Sequence, residues 1–323
     1  MPDQAAPAPI MVSCILLTYN HRPYVAQAVE SMLMQKTVFP FEILFADDCS
    51  SDGTREVLEE YAAAHPGLIR TCFPAENIGS SRMANRTAST FCRGKYITIL
   101  EGDDHWLGED RLQTLVDFLE THPGYACVAH LRERRDETGR LLGYDPQKKL
   151  FGRDFTMRQF LKGARFSITG ALFINHYRLS GDKYHQIETL SRNADDYQRC
   201  VLIHDFGRVY MLDRCFYSYR VIVRPGGVNY NSIMSDLAKY ADQIQILRGM
   251  QAFYAGKYDF SGEIRRWQCK HLLLALFKRN KAALMQIWAD VEKGRRAELL
   301  AYMPVFAFKK ILRIGERSGW KIA

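Results

Sequence analysis

Short apolar runs alternate along the chain with longer stretches in which apolar residues recur every three or four positions. The runs cover residues 12–17, 41–46, 68–73 and 96–100, with another near 125–130. Continuous apolar runs of this length are typical of strands buried in a parallel sheet, and the recurring positions between them predict amphipathic helices. Strand alternating with helix predicts an α/β fold, a Rossmann-like and mostly parallel sheet with helices on both faces.

The pattern changes after residue 130. Residues 132–144 are charged and contain the turn signal Thr138-Gly139, which predicts an exposed hairpin or loop. Residues 166–174 and 209–223 are strand-like, residues 187–203 are helical in pattern, and helical patterns dominate from residue 232. We therefore expect a flexible leader over 1–10, a catalytic domain over 11–230 with halves 11–125 and 126–230, and a helical C-terminal region over 231–323.

The net positive charge of the chain comes from its C-terminal part. Hydrophobic residues make up 47% and charged residues 25% of the 323 positions, which excludes a disordered or coiled-coil chain. The formal net charge is +8, yet residues 261–323 hold 14 Lys/Arg against 5 Asp/Glu, and the rest holds 30 against 31. A balanced body argues against nucleic acid as a partner. No signal peptide and no apolar run of about 20 residues is present, so we expect a cytoplasmic protein.

The basic excess lies in a tail that also carries aromatic and aliphatic residues. On a helix starting near residue 305, Phe308, Ile311 and Leu312 share one face, flanked by lysine and arginine. A basic amphipathic helix over 305–321 suits an anionic membrane surface and would place the protein peripherally on the inner face of the cell membrane. The alternatives are a helix packed on the catalytic domain, a site for anionic glycan, or a dimer contact.

Two acidic clusters follow two of the predicted strands. Asp47 and Asp48 end the second strand, and Glu101, Asp103 and Asp104 end the fourth. Each cluster alone is also typical of a helix N-cap or a turn. Because ligands sit beyond the carboxyl ends of parallel strands, both clusters are expected to open onto one crevice. Carboxylates are preferred ligands of Mg²⁺ and Mn²⁺, so the pair of clusters predicts a site for a metal and a diphosphate.

These segments, in this order, resemble glycosyltransferase family 2. The resemblance rests on residues 12–20, 41–54, 77–86 and 96–106, the last containing a Glu-Gly-Asp-Asp-x-Trp motif typical of one branch of the family. It implies a GT-A fold and an inverting transferase that takes a sugar from a nucleotide sugar, typically a UDP-sugar, with Mg²⁺ or Mn²⁺. The implied acceptor is a glycan or a lipid-linked molecule in bacterial surface polysaccharide synthesis, such as capsule or lipopolysaccharide.

The resemblance also implies roles for individual residues. Asp103 and Asp104 would hold the metal, with Glu101 facing the ribose or the metal. Asp196 would be the general base, with Asp195 beside it, after a strand containing residues 169–173. The nucleotide sugar would be contacted by Thr18, Asn20, Asp47, Asp48, Arg82, Asn85, Glu101, Arg220 and Arg224.

Other interpretations stay open. The Asp195-Asp196 pair is also typical of an N-cap, and Arg220 and Arg224 of a solvated surface. The histidine usual in the segment after Tyr219 is missing, so a metal ligand from that segment is in doubt. Trp106 is expected to anchor the helix that follows it. The rival functions are a nucleotidyltransferase, which would need a glycine-rich loop after the first strand, and a non-catalytic nucleotide- or glycan-binding protein.

Overall fold

The structure, a computed structural model, describes residues 9–144, 148–191, 196–222, 236–291 and 293–303. The chain divides into two compact units, Met1–Ser232 and Ile233–Ala323. Within the described ranges the first unit holds one sheet. Its strands are β1 Val12–Thr18, β2 Phe41–Asp47, β3 Ile69–Thr71, β4 Tyr96–Glu101, β5 His105–Trp106, β6 Tyr125–Asp136, β7 Leu141–Tyr144, β8 Arg153–Phe155, β9 Leu172–Ile174 and β10 Arg208–Val221.

Helices connect these strands. In the first unit they are α1 Val25–Leu33, α2 Thr54–Ala64, α3 Ser80–Phe91, α4 Arg111–Thr121, α5 Met157–Leu161, α6 His176–Ser180, α7 His185–Glu188 and α8 Asp196–Leu202. Single 3-10 turns cover Lys148–Leu150, Gly181–Tyr184 and Ile203–Asp205. The alternation of strand and helix predicted for the first half of the chain is confirmed.

The order of the main sheet is β3-β2-β1-β4-β9-β6-β10-β5. The first four strands are parallel to one another, as the apolar runs predicted. Their register pairs Thr18 with Asp47 and Leu17 with Glu101. The carboxyl ends of β1, β2 and β4 therefore meet at one edge of the sheet, which brings the two acidic clusters to the same place.

The second half of the sheet is mixed. Strand β9 lies between β4 and β6 and is antiparallel to both, while β10 runs parallel to β6 and antiparallel to β5. The charged segment after residue 130 continues β6 and returns as β7, which makes the predicted exposed hairpin.

Two elements are shorter than their sequence patterns predicted. Of residues 166–174 only Leu172–Ile174 is a strand, because the Ala171 N–H closes a turn onto the Ile168 carbonyl at 3.0 Å. The predicted helix over 187–203 is interrupted. Helix α7 ends at Glu188, whose carbonyl accepts a hydrogen bond from Asn85 Nδ2 at 3.0 Å instead of continuing the helix ladder, and α8 begins at Asp196.

Trp106 anchors the helix after it, as expected. Its side chain is 1% exposed, and the guanidinium of Arg111, the first residue of α4, lies 4.0 Å from the ring centroid. Arg111 also donates to Thr98 Oγ1 at 2.9 Å, which ties the helix to β4. The guanidinium of Arg111 is fully buried, and this burial lowers its pKa to about 9.

The second unit is helical in its described part. It contains α9 Asp236–Phe253, α10 Ser261–Phe277 and α11 Lys281–Asp290. Buried residues of α10 and α11 form a small apolar cluster with Val291 and Leu299. No helix among the described residues has the length and apolar character required to cross a bilayer.

Candidate active site

The loops after β1 and β2 are joined by hydrogen bonds at the carboxyl edge of the sheet. Asn20 adopts a left-handed backbone conformation, with φ of 57°, which asparagine tolerates better than most residues. Its backbone N–H donates to Ser50 Oγ and its side-chain carbonyl accepts from the Ser51 N–H, both at 2.9 Å. The backbone N–H and the side-chain oxygen of Asn20 thus hold the two loops together.

Asp47 and Asp48 are both buried but differ in how much of their carboxylate is used by the protein. Asp47 accepts from Thr18 Oγ1 at 2.8 Å, from the hydroxyl and backbone N–H of Ser50, and from Arg55 Nε. A carboxylate offers about four acceptor positions, so Asp47 is saturated by these contacts. Asp47 and Thr18 were both predicted to contact the nucleotide. In the structure their side chains hydrogen-bond to each other and stabilise the ends of β1 and β2.

The carboxylate of Asp48 fastens the start of α3 to the end of β2. Its two oxygens accept the backbone N–H groups of Ile78 and Gly79, each at 2.8 Å. Asn77 Nδ2 donates to the Asp48 carbonyl at 2.9 Å. Two acceptor positions of this carboxylate stay available for a ligand.

The acidic turn (Glu101, Asp103 and Asp104) lies directly against the β1 loop. A Cβ atom at Gly102 would come within 2.6 Å of Thr18 Cγ2 and 2.8 Å of His21 Nδ1, so only glycine permits this approach. One carboxylate oxygen from each of the three acids can be chosen so that all lie within 4.8 Å of one another. The structure thus brings Thr18 and the two acidic clusters together, as the sequence predicted.

Asp104 is the most enclosed of the three acids. Tyr217 donates its hydroxyl to Oδ2 at 2.7 Å, and the Arg220 N–H donates to Oδ1 at 2.6 Å. Burial, together with the negative charges of Asp103 and Glu101, raises the pKa of Asp104 well above its ordinary value. Crowded carboxylates of this kind have the hard oxygen donors that Mg²⁺ and Mn²⁺ prefer, and a divalent cation would relieve their repulsion.

Arg220 belongs to this turn and is not a solvated surface arginine. Its Nε donates to the Asp103 carbonyl at 2.8 Å, its Nη2 donates to Gln27 Oε1 at 2.7 Å, and its guanidinium lies 4.6 Å from the Tyr24 ring centroid. Sequence analysis selected Arg220 but missed Tyr217, because a tyrosine within an apolar strand carries no local signal of its partner.

Asn85 lies in a different environment from the acidic turn. It is 5% exposed, and its Oδ1 accepts a hydrogen bond from Arg199 Nη2 and lies 2.9 Å from the Tyr177 hydroxyl. That hydroxyl is also 2.7 Å from Glu188 Oε1, and His176 Nε2 lies 3.0 Å from the same oxygen. We call these five residues the buried network; it links α3, α6, α7 and α8.

Charge in the buried network is internally balanced. Arg199 Nη1 lies 4.0 Å from Glu188 Oε1. Burial raises the pKa of Glu188, but the contact with His176 and the charge of Arg199 outweigh it and hold that pKa below its ordinary value. Burial also lowers the pKa of His176, so the imidazole is neutral and the ionic pair is Glu188 with Arg199.

Asp196 occupies the first position of α8 and is exposed. Arg199 follows it by one helical turn, so the buried network fixes the helix that carries Asp196. Asp195 and Arg224 lie outside the described residues, as does the tail over 305–321.

Arg82, the remaining predicted nucleotide residue, is exposed on α3 and lines a pocket of about 550 Å³ between α3 and the segment from α6 to α7. None of the residues of the acidic turn lines this pocket. The structure therefore separates Arg82 and Asn85 from the group that it gathers around residues 101–104.

Comparison with known proteins places this site in a family. The sequence model of glycosyl transferase family 2 matches residues 13–180, which contain both acidic clusters and the start of α3. The chain therefore belongs to glycosyltransferase family 2.

Individual relatives agree with this assignment. The chain is 34% identical over 109 residues to a protein named as a putative teichuronic acid biosynthesis glycosyltransferase, TuaG, from Bacillus subtilis, covering 34% of this chain and 42% of that protein. The chain is 27% identical over 213 residues to chondroitin synthase from Escherichia coli, covering 64% of this chain and 28% of that protein. The chain spans about a third of the length of the curated relatives it matches.

Solved structures match the fold at low sequence identity. S. aureus TarS 1–349 in complex with UDP-GlcNAc matches with a TM-score of 0.58 and 18% identity, covering 92% of this chain and 80% of TarS. Mannosyltransferase PcManGT from Pyrobaculum calidifontis, in complex with GDP-Man and Mn²⁺, matches with a TM-score of 0.55 and 16% identity, covering 98% and 90%. These neighbours share the GT-A fold expected from the sequence.

Proposed function

We propose that this chain is an inverting transferase that moves a sugar from a UDP-sugar to a glycan or lipid-linked acceptor in bacterial surface polysaccharide synthesis. The observation that carries the proposal is the meeting of the acidic turn with the loops after β1 and β2 at one sheet edge. Relatives named for chondroitin and teichuronic acid synthesis support a polysaccharide product.

The acidic turn is the proposed holder of Mg²⁺ or Mn²⁺. Asp103 is the principal ligand, because both oxygens of Asp104 accept hydrogen bonds from Tyr217 and Arg220. A divalent cation there would supply neutralising charge for the leaving diphosphate. Arg220 holds the Asp103 carbonyl and so fixes the shape of the turn on which the diphosphate would rest.

Asp48 and Asp196 have different proposed tasks. Asp48 keeps two acceptor positions for the N–H of a uracil base, at the junction of β2 and α3. Asp196, exposed at the head of α8, takes the proton from the acceptor hydroxyl as that oxygen attacks the anomeric carbon. Attack from the face opposite the departing diphosphate inverts the configuration.

The test is a screen of nucleotide sugars for Mn²⁺-dependent hydrolysis and thermal stabilisation of the full chain. We expect one UDP-sugar to raise the melting temperature with Mn²⁺ and to lose that effect in EDTA. Absence of any nucleotide-sugar binding with Mn²⁺ would overturn the proposal.

Once an acceptor is found, Asp196→Ala tests the base. Transfer should fall by about 100-fold or more, since general-base catalysis contributes roughly 10²–10⁴, while UDP affinity stays within about twofold. Asp213→Ala, the same change at an exposed aspartate on β10, is the matched control. Intact transfer by Asp196→Ala would exclude this residue as the base.

A further inference from the structure

The pocket beside α3 has a strongly one-sided charge. We call it the α3 pocket and define it by Arg82, Arg86, Tyr177, His185 and Thr189, which line it together with neighbouring α3 and α7 residues. Arg82 and Arg86 are four residues apart and so project from one face of the helix. Both are exposed, as is His185 on the opposite wall.

No ion pair or hydrogen bond joins the side chains of Arg82, Arg86 or His185 to any described residue. Two guanidinium groups at this spacing repel each other, which destabilises the helix slightly unless an anion lies between them. The pocket therefore presents two fixed positive charges without a counter-ion from the described chain, with the imidazole of His185 facing them from the opposite wall.

The only carboxylate among the described lining residues does not cancel this charge. Glu188 is 2% exposed and belongs to the buried network, where its charge is already balanced by Arg199. The pocket floor is thus electrically neutral and the rim is positive. A binding surface of this kind selects anions by their charge.

Hydroxyl groups complete the lining. Ser89 and Thr90 at the end of α3, and Thr189 after α7, all reach the pocket. Hydroxyls both donate and accept hydrogen bonds, which suits the hydroxyls of a sugar. With about 550 Å³, the pocket is large enough for one or two sugar units.

The pocket is also mechanically linked to the helix of the proposed base. Asn85 and Tyr177 contribute to its wall, and Asn85 accepts from Arg199, one turn beyond Asp196. A molecule held in the pocket therefore contacts the same framework that orients α8.

We propose that the α3 pocket binds an acidic sugar unit of the acceptor glycan, a uronate or a sugar phosphate, through Arg86 and His185. The inference rests on the proposed transferase function, because it assigns a substrate class to the acceptor of that reaction. It places this anion away from the acidic turn, so its binding needs no divalent metal.

The probes are an unsulfated chondroitin oligosaccharide, a polyphosphate chain of equal charge and a neutral maltooligosaccharide. Binding is measured by titration calorimetry on the full chain in EDTA, at low and at physiological salt. We expect the two anionic probes to bind, the neutral one not to bind, and the affinity to fall as salt rises. Tighter binding of chondroitin would assign a uronate, and tighter binding of polyphosphate a phosphate.

Charge reversal locates the site. Arg86→Glu should weaken anionic-probe binding by about tenfold, and Arg86→Gln by less, because reversal adds repulsion to the loss of attraction. Arg158→Glu, the same change at an exposed arginine on α5, should leave the affinity within about twofold. Melting temperatures of all three variants check that each is folded.

Three results would overturn the inference. The first is failure of both anionic probes to bind, and the second is a loss of probe affinity in Arg158→Glu equal to that in Arg86→Glu. The third is displacement of the probes by UDP in EDTA together with loss of UDP affinity in Arg86→Glu. The last result would assign the pocket to the donor. Failure of the proposed function shows separately, as absence of Mn²⁺-dependent nucleotide-sugar binding in the unsubstituted chain.

Discussion

At the scale of single residues, Asp103 and Asp104 have neighbouring positions and different surroundings. Asp104 is held on both oxygens by Tyr217 and Arg220, whereas Asp103 engages Arg220 only through its main-chain carbonyl. The side chain of Asp103 is therefore the better placed of the two to exchange its surroundings for a metal.

Asp103→Asn should weaken Mn²⁺-dependent UDP binding by at least about 100-fold, since changes merely around a metal site cost about 10–100-fold. The same change should not destabilise the metal-free protein, because it removes one of three mutually repelling charges. Calorimetric titration of UDP with Mn²⁺ and urea unfolding in EDTA measure the two effects. The exposed Asp213→Asn on β10 is the control, and an unchanged affinity in Asp103→Asn would remove this residue from the metal site.

Glu42 illustrates a carboxylate that serves the fold alone. It is 1% exposed at the start of β2 and accepts hydrogen bonds from Ser13, Arg70 and Arg93. Burial raises its pKa, but these donors outweigh burial, and the folded-state pKa lies below the ordinary value.

Stability should therefore depend on the charge of Glu42. A lowered folded-state pKa stabilises the protein above the unfolded value of about 4.3, and the stabilisation is lost as pH falls through the folded pKa. Urea unfolding of Glu42→Gln against the unsubstituted chain should show a free-energy deficit at pH 7 that has narrowed at about pH 3, below the unfolded-state pKa. Glu59→Gln, at an exposed position on α2, should show little difference at either pH. A deficit independent of pH would contradict this account.

At the scale of elements, the sequence predicted structure that depends on local patterns, but not contacts between residues far apart along the chain. The first four strands followed from apolar runs, and the placement of Asp48 and Glu101 at one edge followed from the rule for parallel strands. The contacts of Asp104 with Tyr217 and of Asn85 with Glu188 join residues 113 and 103 positions apart. No local pattern encodes such pairs, since they depend on how the mixed half of the sheet and the short helices pack.

The buried network makes α8 dependent on one ion pair. Arg199→Ala would leave Glu188 as an uncompensated buried charge and should destabilise the fold by about 3–5 kcal/mol. The double variant Arg199→Met with Glu188→Gln removes both charges and should recover much of that loss. Urea unfolding of Arg199→Met, of Glu188→Gln and of the double variant gives the coupling energy.

Activity measurements on the double variant test whether the buried network positions α8. If the network positions α8, the double variant should keep its affinity for UDP with Mn²⁺ while its turnover in transfer falls. Additive losses of stability in the double variant, or equal losses of donor affinity and turnover, would show that the network is not what positions α8.

At the scale of the whole molecule, acidic and basic side chains are concentrated in different regions of the chain. The first 260 residues are nearly neutral, and within them the acidic turn and the basic α3 pocket lie apart. The proposed donor and acceptor anions therefore meet opposite local charges. A metal would serve the diphosphate, while arginine and histidine would serve the acceptor.

We propose that the basic excess of residues 261–323 serves location rather than chemistry, and that the segment 305–321 binds anionic membrane. Replacing Lys309, Lys310 and Arg313 by glutamine in the full chain should reduce flotation with phosphatidylglycerol vesicles by several fold, since each basic residue near such a surface contributes about 1 kcal/mol.

Substitution is preferable to truncation at residue 295, because Leu299 is buried in the cluster of α10 and α11 and its loss would disturb the second unit. Replacing Lys278, Arg279 and Lys281, which lie around the α10–α11 junction, removes the same charge and is the control. Equal flotation of the 309/310/313 variant and the unsubstituted chain would exclude the membrane role, and equal reductions in both variants would assign the attraction to net charge alone.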